Sequence, residues 1–295
     1  MPELDRAASL TPNNAEAQVR LGEAYLNLNQ DEKAMQSFDE ATRISASAGI
    51  WNGIAYQLAL KKVHPDLARR YAESAVTTTA AVLRNVTLDQ PSKHDLTLVS
   101  SIAAYWDTLG WVEFVTGHPD KALKYCLAGW QAGQRANIAD HLGQIYEKQG
   151  NKKDAIRFYA LSLNARRPDP ETRSRLGALA GGDDEVNALI AKYRDELPQS
   201  LYVKVANTTK QYGKADFLLL LSGGSGGESS TENTKFVSGK DNMKDFTDVR
   251  KARYTQEIPD DTPVKLLRRG TLTCSEGSSE CTLQLALPED VKSAD

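Results

Sequence analysis

The stretch AAYWDTLGWVEFVTGHPDKALKYCLAGW (residues 103–130) decides the fold of this chain. It predicts two antiparallel helices joined by a short turn, GHPD, at residues 117–120. Large and small side chains stand at fixed positions along these helices, namely Trp106, Leu109, Gly110 and Ala122. Two helices that cross closely need a small residue at the contact and a bulky side chain beside it. The stretch therefore predicts a tightly packed helical hairpin.

The same spacing returns along the chain. Ala34 and Ala68 are 68 − 34 = 34 residues apart, Leu109 and Leu142 are 142 − 109 = 33 apart, and Leu142 and Leu176 are 176 − 142 = 34 apart. A fixed period of this length is typical of stacked helical repeats. The predicted repeats cover residues 15–46, 49–78, 103–130 and 136–168, with a fifth from about 176 to 197.

Residues 15–197 resemble tetratricopeptide repeats. The first repeat carries the large, small and aromatic residues of that pattern at Leu21, Gly22, Tyr25, Ala34, Phe38 and Ala41. The resemblance implies an α-solenoid in which the first helix of each repeat lines a concave groove. Solenoids of this kind use such a surface for binding.

An insertion interrupts the array. Ala68 and Ala122 are 122 − 68 = 54 residues apart, which exceeds one period by 54 − 34 = 20 residues. We place the insertion at about 79–100, with one helix running on to about Val86 and a long helix beginning near Leu96. Such an extended helix pair could shift the superhelix or form a lip over its groove.

The first residues match the end of a repeat. The segment LDRAASLTPNN (4–14) has Ala7 at the small position and Pro12 where a repeat closes, yet no first helix precedes it. We therefore expect the array to extend upstream, so that the chain is part of a longer protein. The alternative is a complete protein with a frayed N-terminal helix.

The helical period stops near residue 198, and strand-like runs and turns follow. The predicted strands are 203–207, 215–222, 234–239, 254–259 and a final hairpin of 272–274 with 281–287, and the predicted helix is 241–252. The glycine- and serine-rich stretch 222–233 predicts a flexible loop. The sequence thus predicts an α+β protein: a helical-repeat domain at 1–198, then a small α+β domain at 199–295 with a mainly antiparallel sheet.

The C-terminal segments ADFLLLL (215–221), PDDTPVKLLRRGTLTCS (259–275) and CTLQLAL (281–287) carry a second resemblance. They are similar to the C-terminal region of bacterial envelope proteins of the acidobacterial type, which join a transglutaminase-like domain to a repeat array. Nothing in this chain matches the transglutaminase-like part. The resemblance implies export to the periplasm or cell envelope. A further likeness, to the C-terminal domain of TonB-type energy transducers, implies an envelope component.

Composition excludes some classes of partner. The net charge of −3 argues against a nucleic-acid binder that relies on bulk electrostatics. The densest apolar run, 217–221, has the length of a strand, so no direct membrane insertion is expected. The N-terminal segment as given carries no apolar core of a secretory signal. The oligomeric state is left open.

The sequence predicts no catalytic site, no cofactor and no metal site. Only four histidines are present, and His64 and His118 precede prolines in repeat turns. Cys126 takes a position that usually holds a buried aromatic, which favours a small packed hydrophobe. Cys274 and Cys281 flank a turn, so they form a disulfide if the protein is exported and free thiols if it is cytosolic. A zinc site would need two further ligands.

The predicted groove is the remaining candidate site. Residues two, five, nine and twelve of each repeat point inward in tetratricopeptide arrays, which here selects Glu23, Asp107, Trp111, Phe114, Asp140 and Gln144. Family members that grip a C-terminal carboxylate use lysine, asparagine and arginine at these places. Acids and aromatics instead predict an apolar or basic partner segment, with Trp111 and Phe114 as anchors. The alternative is that both aromatics are covered by the next repeat or by the inserted helix.

The sequence therefore predicts a non-enzymatic scaffold for protein–protein interaction, with a protein or peptide segment bound in the groove. The first alternative is the accessory C-terminal part of a transglutaminase-like enzyme whose catalytic domain lies upstream. The second is a TonB-like envelope component.

Overall fold

A computed structural model describes residue 6 and residues 13–223 and 228–291, so most of the segment 4–14 lies outside the described residues. The first part of the chain forms successive helix pairs. They are α1 (Ala15–Asn27) with α2 (Asp31–Ile44), α3 (Ala48–Lys61) with α4 (Pro65–Leu83), α5 (Lys93–Val115) with α6 (Pro119–Gly133), α7 (Ala136–Lys148) with α8 (Lys152–Asn164), and α9 (Pro170–Ala180) with α10 (Asp183–Tyr193). A short α11 (Glu196–Gln199) follows. The predicted α-solenoid is confirmed.

Close helix crossings occur at the small positions of the repeat. A Cβ atom added to Gly22 would lie 2.3 Å from the Phe38 ring, and one added to Gly143 would lie 2.4 Å from the Tyr159 ring. Both rings are fully buried. The large and small residues that predicted each hairpin therefore meet across its two helices, as close packing requires.

The inserted residues extend two successive helices, α4 and α5, and the loop between them. Helix α4 continues to Leu83, three residues short of the predicted end, and α5 begins at Lys93, three residues before the predicted start. A capping box fixes that start: the Asp95 N–H donates to Ser92 Oγ at 3.2 Å, and the Ser92 N–H donates to Asp95 Oδ2 at 2.8 Å. Two N–H groups at the helix end are satisfied in this way.

The second part of the chain is a six-stranded antiparallel sheet, as predicted. Its strands are β1 (Tyr202–Ala206), β2 (Gly213–Gly223), β3 (Ser229–Gly239), β4 (Arg253–Tyr254), β5 (Lys265–Cys274) and β6 (Glu280–Leu285). Their order across the sheet is β1-β6-β5-β2-β3-β4. The sheet thus places the C-terminal hairpin β5–β6 between β1 and β2.

The structure corrects three details of this part. The predicted helix 241–252 is two 3₁₀ turns, Asp241–Met243 and Asp248–Lys251. The predicted loop 222–233 is shorter, because the β2–β3 ladder continues to the pair Gly223 and Ser229; residues 224–227 lie outside the described residues. The predicted strand 254–259 is only β4, since the next residues turn toward the helices, where the Glu257 N–H donates to Gln131 Oε1 at 2.5 Å.

The sheet packs against the third repeat. Trp106 Nε1 on α5 donates to Thr262 Oγ1 at 3.2 Å, and the Tyr125 hydroxyl on α6 donates to Asp261 Oδ2 at 2.7 Å. Arg135 forms an ion pair with Glu289 at 2.9 Å. Apolar residues of α4, α5 and the strands belong to one continuous hydrophobic core. The division into domains at 198/199 stays a prediction, because helices and strands share that core.

The extended helix pair lies against this sheet. Arg84, just after α4, lines a cavity of about 410 Å³ together with Ile258, Pro263 and Val264. Helix α5 contacts β5 and the 3₁₀ turn Pro288–Asp290. The extension therefore contacts the sheet, whereas the sequence suggested that it could shift the superhelix or form a lip over the groove.

Candidate functional site

The candidate site is the groove, defined here as the surface along the first helices α1, α3, α5, α7 and α9. Neighbouring first helices contact one another from α1 through α7. At one such contact, a Cβ added to Gly53 on α3 would lie 3.4 Å from Val19 Cγ1 on α1. The side chains of successive repeats are thereby brought into a continuous row.

The structure divides the six predicted groove residues into two sets. Asp107, Asp140 and Trp111 are buried, with 2%, 4% and 7% of their surface exposed. Glu23, Phe114 and Gln144 are partly exposed. Only the second set can contact a partner without rearrangement.

Asp107 is a buried carboxylate that joins α5 to α7. Its Oδ1 lies 2.8 Å from His141 Nδ1, and its Oδ2 accepts a hydrogen bond of 2.9 Å from Asn137 Nδ2. His141 is itself 4% exposed. A buried carboxylate must be paired and hydrogen-bonded to be tolerated. Asp107 therefore holds two repeats together and is not free to bind a ligand.

Asp140 repeats this arrangement one period later, joining α7 to α9. Its Oδ1 accepts a hydrogen bond of 2.7 Å from Thr172 Oγ1, and its Oδ2 accepts one of 3.0 Å from Arg175 Nη1. Gln144 Nε2 donates to the same Oδ2 at 2.8 Å. The Asp140 charge is thus balanced within the protein.

A third buried acid, Glu113, joins α5 to the preceding repeat. It accepts from Arg69 Nε at 3.1 Å and lies 3.0 Å from His118 Nδ1. The tetratricopeptide pattern prefers an aromatic residue at this position, and the carboxylate is 4% exposed. The departure from the pattern is explained by this ion pair.

Aromatic rings follow the groove across three first helices. The Trp111 ring stacks on His141 with centroids 4.2 Å apart and lies 5.1 Å from the Phe114 ring. The Tyr56 ring lies 6.0 Å from His141. Trp111 is thus covered, as the alternative expected, and its Nε1 has no acceptor among the described residues. The partly exposed rings are those of Phe114 and Tyr56.

Tyr56 and His141 were missed as site residues by sequence reasoning. His141 follows Asp107 by 141 − 107 = 34 residues, so one period separates the two partners of the buried pair. Tyr56 is a first-helix residue of the degenerate second repeat. A search for polar residues one period apart could have found the Asp107–His141 pair. The contact between the Tyr56 and His141 rings depends on how helices α3 and α7 are placed relative to each other, which the sequence does not show.

The pKa of Tyr56 is raised above its ordinary value. Burial raises the pKa of Tyr56 most, and the charges of Asp107, Asp169, Asp140 and Glu23 raise it further. Asp169 caps α9 by accepting from the Glu171 N–H at 2.7 Å. Among the described residues, neither Glu23 nor Asp169 has a cationic partner. The groove surface therefore carries negative charge at Glu23 on α1 and at Asp169 before α9.

The cysteines lie away from the exposed groove surface. Cys274 and Cys281 are opposite each other on β5 and β6 and form a disulfide with Cα atoms 4.4 Å apart. Cys126 is fully buried, and burial, followed by the charge of Asp107, raises the pKa of its thiol well above the ordinary value. A thiol held in its protonated form is a poor nucleophile.

The contacts among Cys126, Asp107 and His141 differ from those of a catalytic triad. In a triad the nucleophile contacts the imidazole, and the carboxylate orients the imidazole from its other nitrogen. Here the Cys126 Sγ lies 3.7 Å from Asp107 Oδ1, the same oxygen that His141 approaches. This cluster is a packing arrangement around a buried carboxylate.

Two segments match family models described as tetratricopeptide repeat, residues 15–47 and residues 139–174. The chain therefore contains tetratricopeptide repeats, as its spacing predicted. Both matches lie in the helical part, so the C-terminal resemblance to transglutaminase-associated envelope proteins stays a prediction. No curated protein matches the sequence. No helix in the described part of the chain is long and apolar enough to cross a membrane.

Several solved structures are similar to part of this chain. PilW, a type IV pilus biogenesis factor, is 18% identical with a TM-score of 0.45, covering 67% of this chain and 84% of its own. PilF of Pseudomonas aeruginosa is 17% identical with a TM-score of 0.42, covering 66% and 80%. YrrB, described as having an unusual peptide-binding site, is 14% identical with a TM-score of 0.35, covering 66% and 92%. These similarities assign no function to this chain.

Proposed function

We propose that the protein is a non-enzymatic interaction scaffold that binds an extended or helical segment of a partner protein along the groove. Tetratricopeptide repeats generally serve in protein–protein interaction, and their stacked first helices present an extended surface. The observation that carries the proposal is the partly exposed ring of Phe114, backed by the buried Trp111 at 5.1 Å. Aromatic anchors on a rigid base are typical binding hot spots.

The buried acids make this surface rigid. Asp107 ties α5 to α7 and Asp140 ties α7 to α9, so the distance between Phe114 on α5 and Gln144 on α7 is held before a partner arrives. A preorganised surface loses less conformational entropy on binding.

The experiment is a selection of random peptides displayed on phage against the immobilised full chain, followed by affinity measurement of the selected peptides. We expect Phe114→Ala to weaken their binding by about tenfold or more, as removal of an interface anchor does. The matched control is Tyr202→Ala, which removes an aromatic ring that is 47% exposed on β1, outside the groove.

Thermal unfolding of both variants, followed by circular dichroism, checks that each remains folded. The proposal is contradicted if the selected peptides bind Phe114→Ala as tightly as wild type. It is contradicted equally if Tyr202→Ala alone loses binding.

A further inference from the structure

The cavity beside Arg84 has the features of a ligand site that the repeat pattern does not explain. We propose that it binds a small organic acid, meaning a compact apolar chain or ring that carries one carboxylate. The apolar body lies in the cavity, and the carboxylate pairs with Arg84 at its edge. The inference is independent of the proposed function, because the cavity lies where the end of α4 meets the sheet and not along the groove.

Apolar side chains form most of the cavity wall. The volume is about 410 Å³, and the apolar lining residues are Ile258, Pro259, Pro263 and Val264. Val264 is 3% exposed and Pro259 is buried, so these two lie at the inner side of the cavity. Ligand pockets are typically about 300–1,000 Å³, with apolar walls and a few polar groups that fix orientation. The volume lies near the lower end of that range, which favours a compact ligand.

The cavity walls are fixed before a ligand arrives. The loop before β5 is held on the helices, because Trp106 Nε1 donates to Thr262 Oγ1 at 3.2 Å. The same loop is closed by the Thr262 N–H, which donates to the Pro259 carbonyl at 3.0 Å. On the opposite side, Ser222 is paired with Lys265 in the β2–β5 ladder. Preformed walls reduce the entropy that binding costs.

The charges that line the cavity leave Arg84 unbalanced. Lys265 forms an ion pair with Glu232 at 2.6 Å. Asp260 forms an ion pair with Lys124. The Arg84 guanidinium is exposed and has no hydrogen-bond or ion-pair partner among the described residues. Arg84 follows α4, whose C-terminal end carries only about half a negative charge, so a net positive charge remains beside the cavity.

These features together select the class of ligand. A carboxylate matches the planar guanidinium of Arg84 and forms charge-assisted hydrogen bonds with it. The apolar body of the ligand gains free energy when Ile258 and Val264 remove it from water. A neutral alcohol of the same shape would use only the walls, and an amine would be repelled by Arg84. An organic acid therefore fits the cavity better than either.

The test measures the binding of octanoate, 1-octanol and octylammonium to the full chain by isothermal titration calorimetry. The three probes have alkyl chains of similar length and differ in charge. We expect octanoate to bind about tenfold more tightly than 1-octanol, and octylammonium to bind more weakly than either. Methyl NMR should show that octanoate shifts the signals of Ile258 and Val264, which line the cavity.

Two variants separate the charge from the space. Arg84→Gln should weaken octanoate binding about tenfold and leave 1-octanol binding unchanged, because only the carboxylate uses the guanidinium. Gly223→Leu should abolish the binding of both probes. A Cβ at Gly223 would lie 3.7 Å from Ile258 Cβ, an ordinary contact, so the larger side chain fits there and occupies the cavity.

The matched control is Arg70→Gln, which removes the same charge from an exposed position on α4 outside the cavity. This control should leave the affinity for octanoate and for 1-octanol unchanged. Thermal unfolding followed by circular dichroism checks that each variant remains folded.

Four results would overturn the inference. They are no measurable octanoate binding, equal affinity for octanoate and 1-octanol, an equal loss of octanoate affinity in Arg70→Gln and Arg84→Gln, and unchanged octanoate binding in Gly223→Leu. The last result would place the acid elsewhere on the protein. None of the four concerns peptide binding in the groove, so the proposed function stands or fails separately, by the effect of Phe114→Ala.

Discussion

At the scale of single residues, the free space beside one glycine position differs between repeats. Gly143 and Gly177 hold the same repeat position, because 177 − 143 = 34. A Cβ on Gly143 would lie 2.4 Å from Tyr159 Cδ1, whereas a Cβ on Gly177 would meet nothing closer than Val186 Cγ2 at 3.8 Å. The two glycines therefore allow a matched comparison within one protein.

We predict that Gly143→Ala lowers the free energy of unfolding by about 1–3 kcal/mol, because the added methyl group forces the buried Tyr159 ring to move. Gly177→Ala should leave it unchanged or raise it by about 0.5–1 kcal/mol, since alanine favours the helix over glycine. Urea unfolding at equal temperature measures both. Equal destabilisation by the two changes would show that the close crossing does not govern stability.

The residues of the candidate site were only partly predictable. The inward positions of the repeat identified Asp107 and Asp140, but their role is to bind His141 and Arg175 of the following repeats. Burial of this kind depends on contacts between helices about one period apart, which a single repeat does not reveal. Phe114 and Glu23 stay partly exposed.

At the scale of secondary-structure elements, the segment 241–252 shows how spacing can mislead. Met243, Phe246 and Val249 are each three residues apart, and all three are buried. The sequence interpretation assigned this spacing to an α-helix. A strict spacing of three matches the 3₁₀ helix, which has three residues per turn, and the structure has two such turns. The prediction of an α-helix over 241–252 was therefore wrong.

Asp248 fixes the second of these turns. Its carboxylate is 2% exposed and accepts hydrogen bonds from the Thr208 N–H at 2.8 Å and from the Thr208 hydroxyl at 2.5 Å, and it pairs with Lys251 at 2.9 Å. Burial alone would raise the pKa of Asp248, but these partners outweigh it and the pKa is lowered. The ionised carboxylate is therefore favoured in the folded protein.

This pKa gives a pH-dependent stability. A lowered folded-state pKa stabilises the fold above the unfolded pKa of about 3.9, and that stabilisation is lost as the pH falls through the folded-state pKa. We predict that Asp248→Asn is less stable than wild type at neutral pH and that the difference shrinks below about pH 4. Urea unfolding at several pH values measures it. A difference that is constant with pH would contradict the role given to the charge.

At the scale of the whole molecule, the helical array was predictable and its union with the sheet was not. The 34-residue period fixed the repeats, and the family models match two of them. The insertion was located from the break in that period. The union of the helices with the sheet depends on tertiary contacts such as Trp106 to Thr262 and Arg135 to Glu289, which join residues more than 150 positions apart in the sequence. Local patterns cannot reveal pairs so distant.

The central claim is that a partner segment lies along the first helices. The most direct measurement is photo-crosslinking of a selected peptide to the full chain carrying p-benzoylphenylalanine at one of two positions. One position is Gln144, which is partly exposed in the groove on α7, and the other is Glu73, which is exposed on the second helix α4. We expect covalent capture from position 144 and none from position 73. Capture from position 73 with none from position 144 would contradict the account.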